Sequence, residues 1–227
     1  MLETVNYNGR TFSFDGGGTE HVSGGEGPIM AKHFNAKPGD IFFDVGASDS
    51  AWTLYGIASG AFTYAFEPSV PQYKKLVKDV LANDGFFEKS KLLNVGLDKV
   101  DCVKTLGDWY TALGGSDGLE LTPDCLIPTR FMKMDYFLPE LPRLDWVKMD
   151  VEAGEYYVML GGIETIKKFR PNFIIENHKD IVRMGVWMKE NLIVEKIYTM
   201  LKDLNYDIIE DTHEQTQGRT FIIANPR

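Results

Sequence analysis

The sequence predicts an α/β fold built on a mostly parallel sheet. Short apolar runs of β-forming residues alternate with segments of helical periodicity, the order expected of strands joined by right-handed helical crossovers. Acidic residues stand just after several of those runs, where an open sheet gathers its ligand-binding edge. The last two apolar runs, Tyr206 to Glu210 and Thr220 to Ala224, have no helix between them, which suits a final strand inserted antiparallel.

Taken in order, Val5, Tyr7, Phe12 and Phe14 alternate around Asn8-Gly9, the signature of a tight β-hairpin. Gly16 to Gly27 is Gly-rich and polar, a loop expected to be mobile and to cover a site. Pro28 to Phe34 reads as a short helix with proline in its first turn. Ile41 to Phe43 is a strand, and Ser48, Asp49 and Ser50 open a helix over Trp52 to Ser59. Phe62 to Phe66 is the next strand. Tyr73, Leu76, Val77, Val80 and Leu81 then mark a one-sided helix, stopped by Asn83-Asp84-Gly85. Lys91 to Val95 and Trp146 to Met149 are further strands. Gly107 to Pro142 between them predicts irregular structure or short extra strands. Tyr156, Met159, Leu160, Ile163 and Ile166 form one helical stripe, Phe173 to Ile175 a strand, and Ile193 to Leu204 the last helix. Residues 1–37 are expected to be an N-terminal hairpin, loop and helix that serve as a lid, and 38–227 the main domain.

The net charge of −9 disfavours non-specific binding to nucleic-acid phosphates. Cys102 and Cys125 are the only cysteines and lack the spacing of a thiolate metal site. The N-terminus carries no basic and apolar leader pattern, and no run reaches the roughly 20 apolar residues of a membrane span. A soluble, cytoplasmic protein is expected.

Asp44, Glu67, Asp150 and Glu176 each follow a predicted strand, so a parallel sheet would bring them to one edge. Glu67 comes 23 residues after Asp44, the spacing of an acid that accepts two ribose hydroxyl hydrogen bonds. The first turn has one glycine, Gly46, and no G-x-G-x-x-G cradle for a pyrophosphate. A nucleoside without phosphates fits better, and an acid-lined pocket suits a cation such as a sulfonium.

Gly39-Asp40-Ile41-Phe42-Phe43-Asp44-Val45-Gly46-Ala47 resembles the first motif of class I S-adenosylmethionine-dependent methyltransferases. Two later segments narrow the resemblance to the FkbM family. Lys148-Met149-Asp150-Val151-Glu152-Ala153-Gly154-Glu155, followed by Leu160-Gly161-Gly162, is similar to that family's Lys-Ile/Met-Asp-Val/Ile-Glu-Gly-x-Glu and Leu-x-Gly. Arg170-Pro171-Asn172-Phe173-Ile174-Ile175-Glu176-Asn177-His178 is similar to its Arg/Lys-Pro-x-x-Ile/Leu-x-Glu-x-His strand. The resemblance implies a seven-stranded Rossmann-like sheet with helices on both faces, and S-adenosyl-L-methionine as cofactor. It implies methyl transfer, usually to a hydroxyl oxygen, here of a small-molecule or carbohydrate acceptor. Carried over by position, Asp44, Gly46, Ala47 and Ser48 would border the methionine part of the cofactor. Glu67 and Pro68 would bind the ribose, and Asn94, Gly96 and Leu97 would lie near the adenine. Asp150 and Glu152 would face the transferred methyl or the acceptor. Ser48 stands where the family has Asn, Ser50 where it has Gly, and the glycine after Glu152 is displaced by one.

An acceptor hydroxyl loses its proton during attack, and His178 and Asp150 are the candidate bases, with Glu176 orienting and Glu152 and His178 facing the substrate. Asp150 is also open to reading as the cap of the helix that follows. Asp150, Glu152 and Glu176 are oxygen ligands of the kind a divalent cation takes, but no spacing demands one and none is assigned. A nicotinamide oxidoreductase or epimerase is disfavoured by the absent glycine fingerprint and the absence of a Tyr-x-x-x-Lys pair. A degenerate binding module stays open through Ser48 and Ser50.

Overall fold

In the computed structural model, residues 1–105, 127–152, 154–177, 187–212 and 220–227 are described, the side chains of 24 and 187–193 excepted. Strands β1 (Leu2–Tyr7) and β2 (Arg10–Asp15) form the expected hairpin, closed by Asn8 and Gly9 at φ 49° and 75°. Both central residues of such a turn need positive φ, which Asn and Gly supply most readily. A single π-type turn, His21–Gly25, leads into α1 (Gly27–His33). Then come β3 (Ile41–Val45), α2 (Ala51–Ala58), β4 (Phe62–Phe66), α3 (Val70–Leu81) and β5 (Ser90–Leu93). Three short strands follow, β6 (Gly96–Leu97), β7 (Cys102–Thr105) and β8 (Pro128–Met132), which form a small sheet of their own. Of the three, β8 falls in the poorly patterned Gly107 to Pro142 stretch, where short extra strands were expected, and β6 and β7 precede it; Gly114 to Gly118 lie outside the described residues. The chain continues through β9 (Trp146–Met149), α4 (Glu155–Gly161), α5 (Ile163–Phe169), β10 (Asn172–Asn177), α6 (Trp187–Asp203), β11 (Tyr206–Thr212) and β12 (Thr220–Pro226).

The main sheet has seven strands in the order β11-β12-β10-β9-β3-β4-β5. Strands β5, β4, β3, β9 and β10 are parallel, and β12 lies antiparallel between β10 and β11. The chain therefore winds outward from β3 to β5 and then returns to β9. That reversal falls at the carboxyl ends of β3 and β9, where sheets of this topology form their ligand-binding crevice. Among the described residues, no helix is long and apolar enough to cross a membrane.

Period-two alternation sends the sheet's side chains into two cores. Phe43, Val45, Phe66, Met149 and Ile175 pack with α4, α5 and α6 through Val158, Met159, Ile166, Ile197 and Leu201. Phe42, Ala65, Trp146 and Ile174 pack with α2 and α3 through Trp52, Leu54, Leu76 and Val80. Phe12, Phe14, Val22, Ile29, Met30 and Phe34 belong to this second layer, so the N-terminal segment is built into one face of the sheet. Asp79 of α3, fully buried, fastens it there. Its Oδ1 accepts the Asp15 N–H at 2.8 Å, and its Oδ2 accepts from Ser50 Oγ and Lys75 Nζ, each at 2.7 Å. Within Gly16 to Gly27, Val22 and Glu26 are buried, which the polar composition of that stretch did not suggest.

Two expectations are corrected. The apolar stripe from Tyr156 to Ile166 is two helices, not one, broken at Gly161-Gly162. The backbone carbonyl of Asp98 lies against Gly161, where a Cβ would stand 2.1 Å from its oxygen. Of Ser48, Asp49 and Ser50, which were expected to open α2 together, the acid and not the N-cap serine supplies the acceptor. Ser50 holds the N-cap position at φ 71° without a side-chain cap, and Asp49 Oδ1 accepts the Ala51 N–H at 3.0 Å instead.

The Gly161 contact is backbone against backbone, so it cannot be relieved by turning a side chain. Gly161→Ala is expected to destabilise by about 3 kcal/mol or more. Gly85→Ala, at φ 73° with nothing near its Cβ, should cost only about 1–2 kcal/mol, from the left-handed backbone alone. Urea unfolding of the two variants checks the difference; equal losses would remove the close-approach argument.

Candidate active site

The end of β3 sets the site. Gly46 takes φ 81°, and a Cβ there would stand 1.9 Å from the Asp150 carbonyl oxygen. The bare Gly46 lets the end of β9 approach this closely. The N–H groups of Gly46 and Ala47 both donate to the Phe66 carbonyl, at 3.0 and 3.1 Å. The next N–H, of Ser48, donates to Glu67 Oε2 at 2.9 Å, and the Ser69 N–H donates to Glu67 Oε1 at 2.7 Å. Three successive amides of the first turn are thus engaged by the end of β4. Ser48 and Ser50 adopt φ 32° and 71°, the left-handed region that Asn and Gly occupy at less cost. The turn closes with serines all the same, through Ser50 N–H to Ala47 O at 2.8 Å and the Ser50–Asp79 bond.

Asp44 is fully enclosed and meets the chain rather than an open surface. Its Oδ2 accepts from Thr53 Oγ1 at 2.5 Å, and its Oδ1 lies 3.7 Å from Lys148 Nζ. Lys148, buried on β9 and in register with Asp44, donates to the Gly46 carbonyl at 2.9 Å and lies 3.7 Å from Asp150 Oδ2. Burial works against its charge, but Asp150, Asp44, Glu26 and Asp49 together raise its pKa well above the usual lysine range. Burial lifts the Asp44 carboxyl to about 6 against the opposing pull of Lys148. Burial likewise lifts Glu67 to about 7, although the Ser69 and Ser48 amides favour its charged form.

Asp150 is half-buried beside the crevice; its N–H donates to the Val45 carbonyl at 3.0 Å. It does not cap the next helix. Gly154 holds the N-cap position of α4, and Glu155 Oε1 accepts the Val151 N–H at 2.9 Å. Glu176 lies at the end of β10, and one carboxylate oxygen from each of Asp150, Glu176 and Glu26 lies within 4.8 Å of the other two. At that spacing carboxylates share protons or hold a cation. The third member is Glu26, not Glu152, which is exposed at φ 53°. Trp52 Nε1 donates to Glu26 Oε2, and burial raises the Glu26 pKa. Nearby, His21 Nδ1 lies 2.7 Å from Asp49 Oδ2; that bond raises the histidine pKa and ties the Gly-rich segment to the first turn.

Of the remaining candidates, Asn94 Nδ2 donates to the carbonyls of Glu67 and Pro68 at 2.8 and 3.1 Å, bracing the wall beside the turn. Gly96 and Leu97 pair with β8, and Gly96 is the bare spot on which the Phe131 ring rests. His178 lies outside the described residues, as do Ala153 and His213. Glu26, Lys148, His21 and Trp52 were not singled out by sequence reasoning. Lys148 stands in a motif and had a signal; Glu26 meets its partners only through the fold.

Because Asp44 and Glu67 have raised pKa values, the folded chain binds their protons more tightly than the unfolded chain does. Their contribution to stability is full below pH 4 and is lost as pH rises through about 6 for Asp44 and about 7 for Glu67. Each is worth about 3 kcal/mol. Urea unfolding from pH 5 to 8 should show this fall in the ligand-free protein. Asp44→Asn should flatten its lower part and Glu67→Gln its upper part; a slope unchanged by both would refute the assignment.

The Methyltransferase FkbM domain profile matches residues 44–208. A comparison with curated protein sequences gave no match. Among solved structures, a methyltransferase FkbM from Methylobacillus flagellatus KT is similar at 16% identity and a TM-score of 0.57, over 82% of this chain and 43% of that one. The METTL16 methyltransferase domain is similar at 13% identity and a TM-score of 0.51, over 88% and 64%. A chain of a fibrillarin/Nop5p complex is similar at 9% identity and a TM-score of 0.54, over 99% and 97%. The chain therefore spans less than two thirds of the length of the first two. At these identities the likeness is one of fold, that of the class I methyltransferases. The profile match takes in well over half of the 227 residues, and the chain belongs to the FkbM methyltransferase domain family.

Proposed function

We propose that the chain is an S-adenosylmethionine-dependent methyltransferase that O-methylates a hydroxyl of a small molecule or a sugar. Family membership supports the transferase class. The observation that carries the cofactor class is the engaged first turn. The amides of Gly46, Ala47 and Ser48 donate to Phe66 and Glu67, so the crevice offers carboxylates where a pyrophosphate would need free N–H donors. That donor set fits a cationic nucleoside and counts against a nicotinamide dinucleotide.

The cofactor would supply a methyl group activated on a sulfonium. Glu67 would hold its ribose: each carboxylate oxygen already accepts one amide and keeps a lone pair for a hydroxyl. Ser48 and Pro68 border that position, and Asn94, Gly96 and Leu97 form the wall assigned to the adenine. Asp150, half-buried at the end of β9, would orient the acceptor hydroxyl or take its proton. Glu176, buried within reach of Asp150, would hold it or bind a second hydroxyl, and Glu152 and His178 are assigned to the acceptor side.

Calorimetric titration with S-adenosylmethionine and with NAD tests the class. Binding of the first and not the second is expected, and binding of neither would remove the proposal. Glu67→Ala should weaken S-adenosylmethionine binding by about 1.5–3 kcal/mol, the scale of charge-assisted hydrogen bonds. Free methionine, which has no ribose, should lose much less; equal losses would mean that only the loop had moved. Asp150→Asn should lower kcat by about 10²–10⁴-fold with the cofactor Kd nearly unchanged, as expected when a base rather than uniform binding is removed. A variant with near-normal kcat would exclude Asp150 as the base.

A further inference from the structure

We infer that Lys148 is a positioning residue of this site: its ammonium ties the end of β3 to the end of β9 across the crevice and holds Asp44 and Asp150 as paired anions. The inference rests on the methyltransferase reading above and adds a residue to it.

The geometry is specific to the crevice. Lys148 Nζ reaches the Gly46 carbonyl at 2.9 Å, Asp44 Oδ1 at 3.7 Å and Asp150 Oδ2 at 3.7 Å. Gly46 and Asp44 end β3, Asp150 ends β9, and the chain reversal lies between them. The other β9 residues, Trp146, Val147 and Met149, are apolar and buried, so an apolar residue at 148 would satisfy the sheet. Burying an ammonium costs several kcal/mol unless its partners compensate, and replacing such a pair by apolar groups is often neutral or stabilising. A buried lysine at this point is therefore poorly explained by the fold alone.

The charges around it point the same way. Asp44 from β3, Asp49 from the first turn, Glu26 from the N-terminal segment and Asp150 from β9 all act on Lys148. Asp49 is also paired with His21, and Glu67 faces Asp44 from the end of β4. Glu176 joins Asp150 from β10. With Asp44 ionised, the acids outnumber the cations and the crevice favours a cationic ligand. With Asp44 protonated, the Lys148 charge is less balanced and the attraction for one is weaker. Affinity for the cofactor cation should therefore have an acid limb set by Asp44, below the step that Glu67 adds near pH 7. Lys148 is what keeps that limb low, since burial alone pushes the carboxyl up and Lys148 pulls it down.

The test is the pH dependence of S-adenosylmethionine affinity, titrated by calorimetry on wild type, on Glu67→Gln and on Glu67→Gln with Lys148→Met from pH 5 to 9. Wild type should lose affinity in two steps, through about pH 7 with Glu67 and through about pH 6 with Asp44, and Glu67→Gln should keep only the second. In Glu67→Gln with Lys148→Met the Asp44 limb should move up by at least one pH unit, so that affinity lost at pH 7 is regained at pH 9. kcat/KM should follow the same shift. A loss of equal factor at every pH would mean that Lys148 only supports the fold, and would overturn the inference. Should Lys148→Met not fold, the double variant Asp44→Asn with Lys148→Met removes both charges of the pair. Its affinity should have no limb near pH 6, and a retained wild-type limb would overturn the inference equally. Wild type that binds no S-adenosylmethionine at any pH would sink the methyltransferase reading itself. Wild type that binds, beside a variant with an unmoved limb, would sink only the role of Lys148.

Discussion

The contact on which the rest depends is that of Gly46 against the carbonyl of Asp150. A Cβ at Gly46 would stand 1.9 Å from that oxygen, so the two strand ends meet only because residue 46 has no side chain and takes φ 81°. The same turn sends its next amides to Phe66 and Glu67, and Asp150 returns its own N–H to Val45. Three parallel strands, β4, β3 and β9, are thereby locked together at one end. Lys148 closes the joint from beneath, and everything that faces the crevice takes its position from it.

The N-terminal segment answers to this joint as well. Gly27 has the Val22 carbonyl where a Cβ would stand, at 1.8 Å, and this close turn places Glu26 against the indole of Trp52 in α2. His21 meets Asp49 one residue before Ser50, and Ser50 meets Asp79, which also holds β2. Residues 20 to 27 precede the span matched by the family profile and yet place two ionisable side chains at its ligand edge. Val22 packs in the Phe12, Phe14 and Ile29 layer between them, and Glu26 is buried, so that placement is built into the fold.

Most of the architecture was legible because it is written in local periodicity. The strands that end in Asp44, Glu67 and Asp150 are short apolar runs, and α3 shows its buried stripe in Leu76 and Val80. What failed to be legible depends on meetings between distant residues. Gly161 looks like a tolerable helix residue until the Asp98 carbonyl is seen beside it. Asp44 reads as an acid at a strand end, and only the fold shows Thr53 and Lys148 against it. Asp150 could be read as a helix cap because an acid before a helix usually is one. The helix starts later, and Glu155 supplies the closing acceptor from inside it. Glu26 had no local signal, since a single acid in a Gly-rich stretch is ordinary and its partners come from β9 and β10.

The charge arrangement shows what selection for stability alone would not retain. Asp44 and Glu67 are buried deeply enough to hold protons near neutral pH, and Glu26 is pushed in the same direction. A core assembled only to fold would do better with apolar residues at these positions, because each buried carboxyl forfeits hydration that its partners return only in part. Asp44, Glu67, Lys148, Glu26 and Glu176 gather at one edge of one sheet, at the reversal of the chain, while Asp79, Asp40 and Asp98 are buried elsewhere. A cluster of buried ionisable groups at the ligand edge of a sheet is what a binding site requires and a fold alone does not. On the reading proposed above, a bound cation would supply the charge these acids lack in the free chain. The same groups that weaken the empty protein would then strengthen the complex.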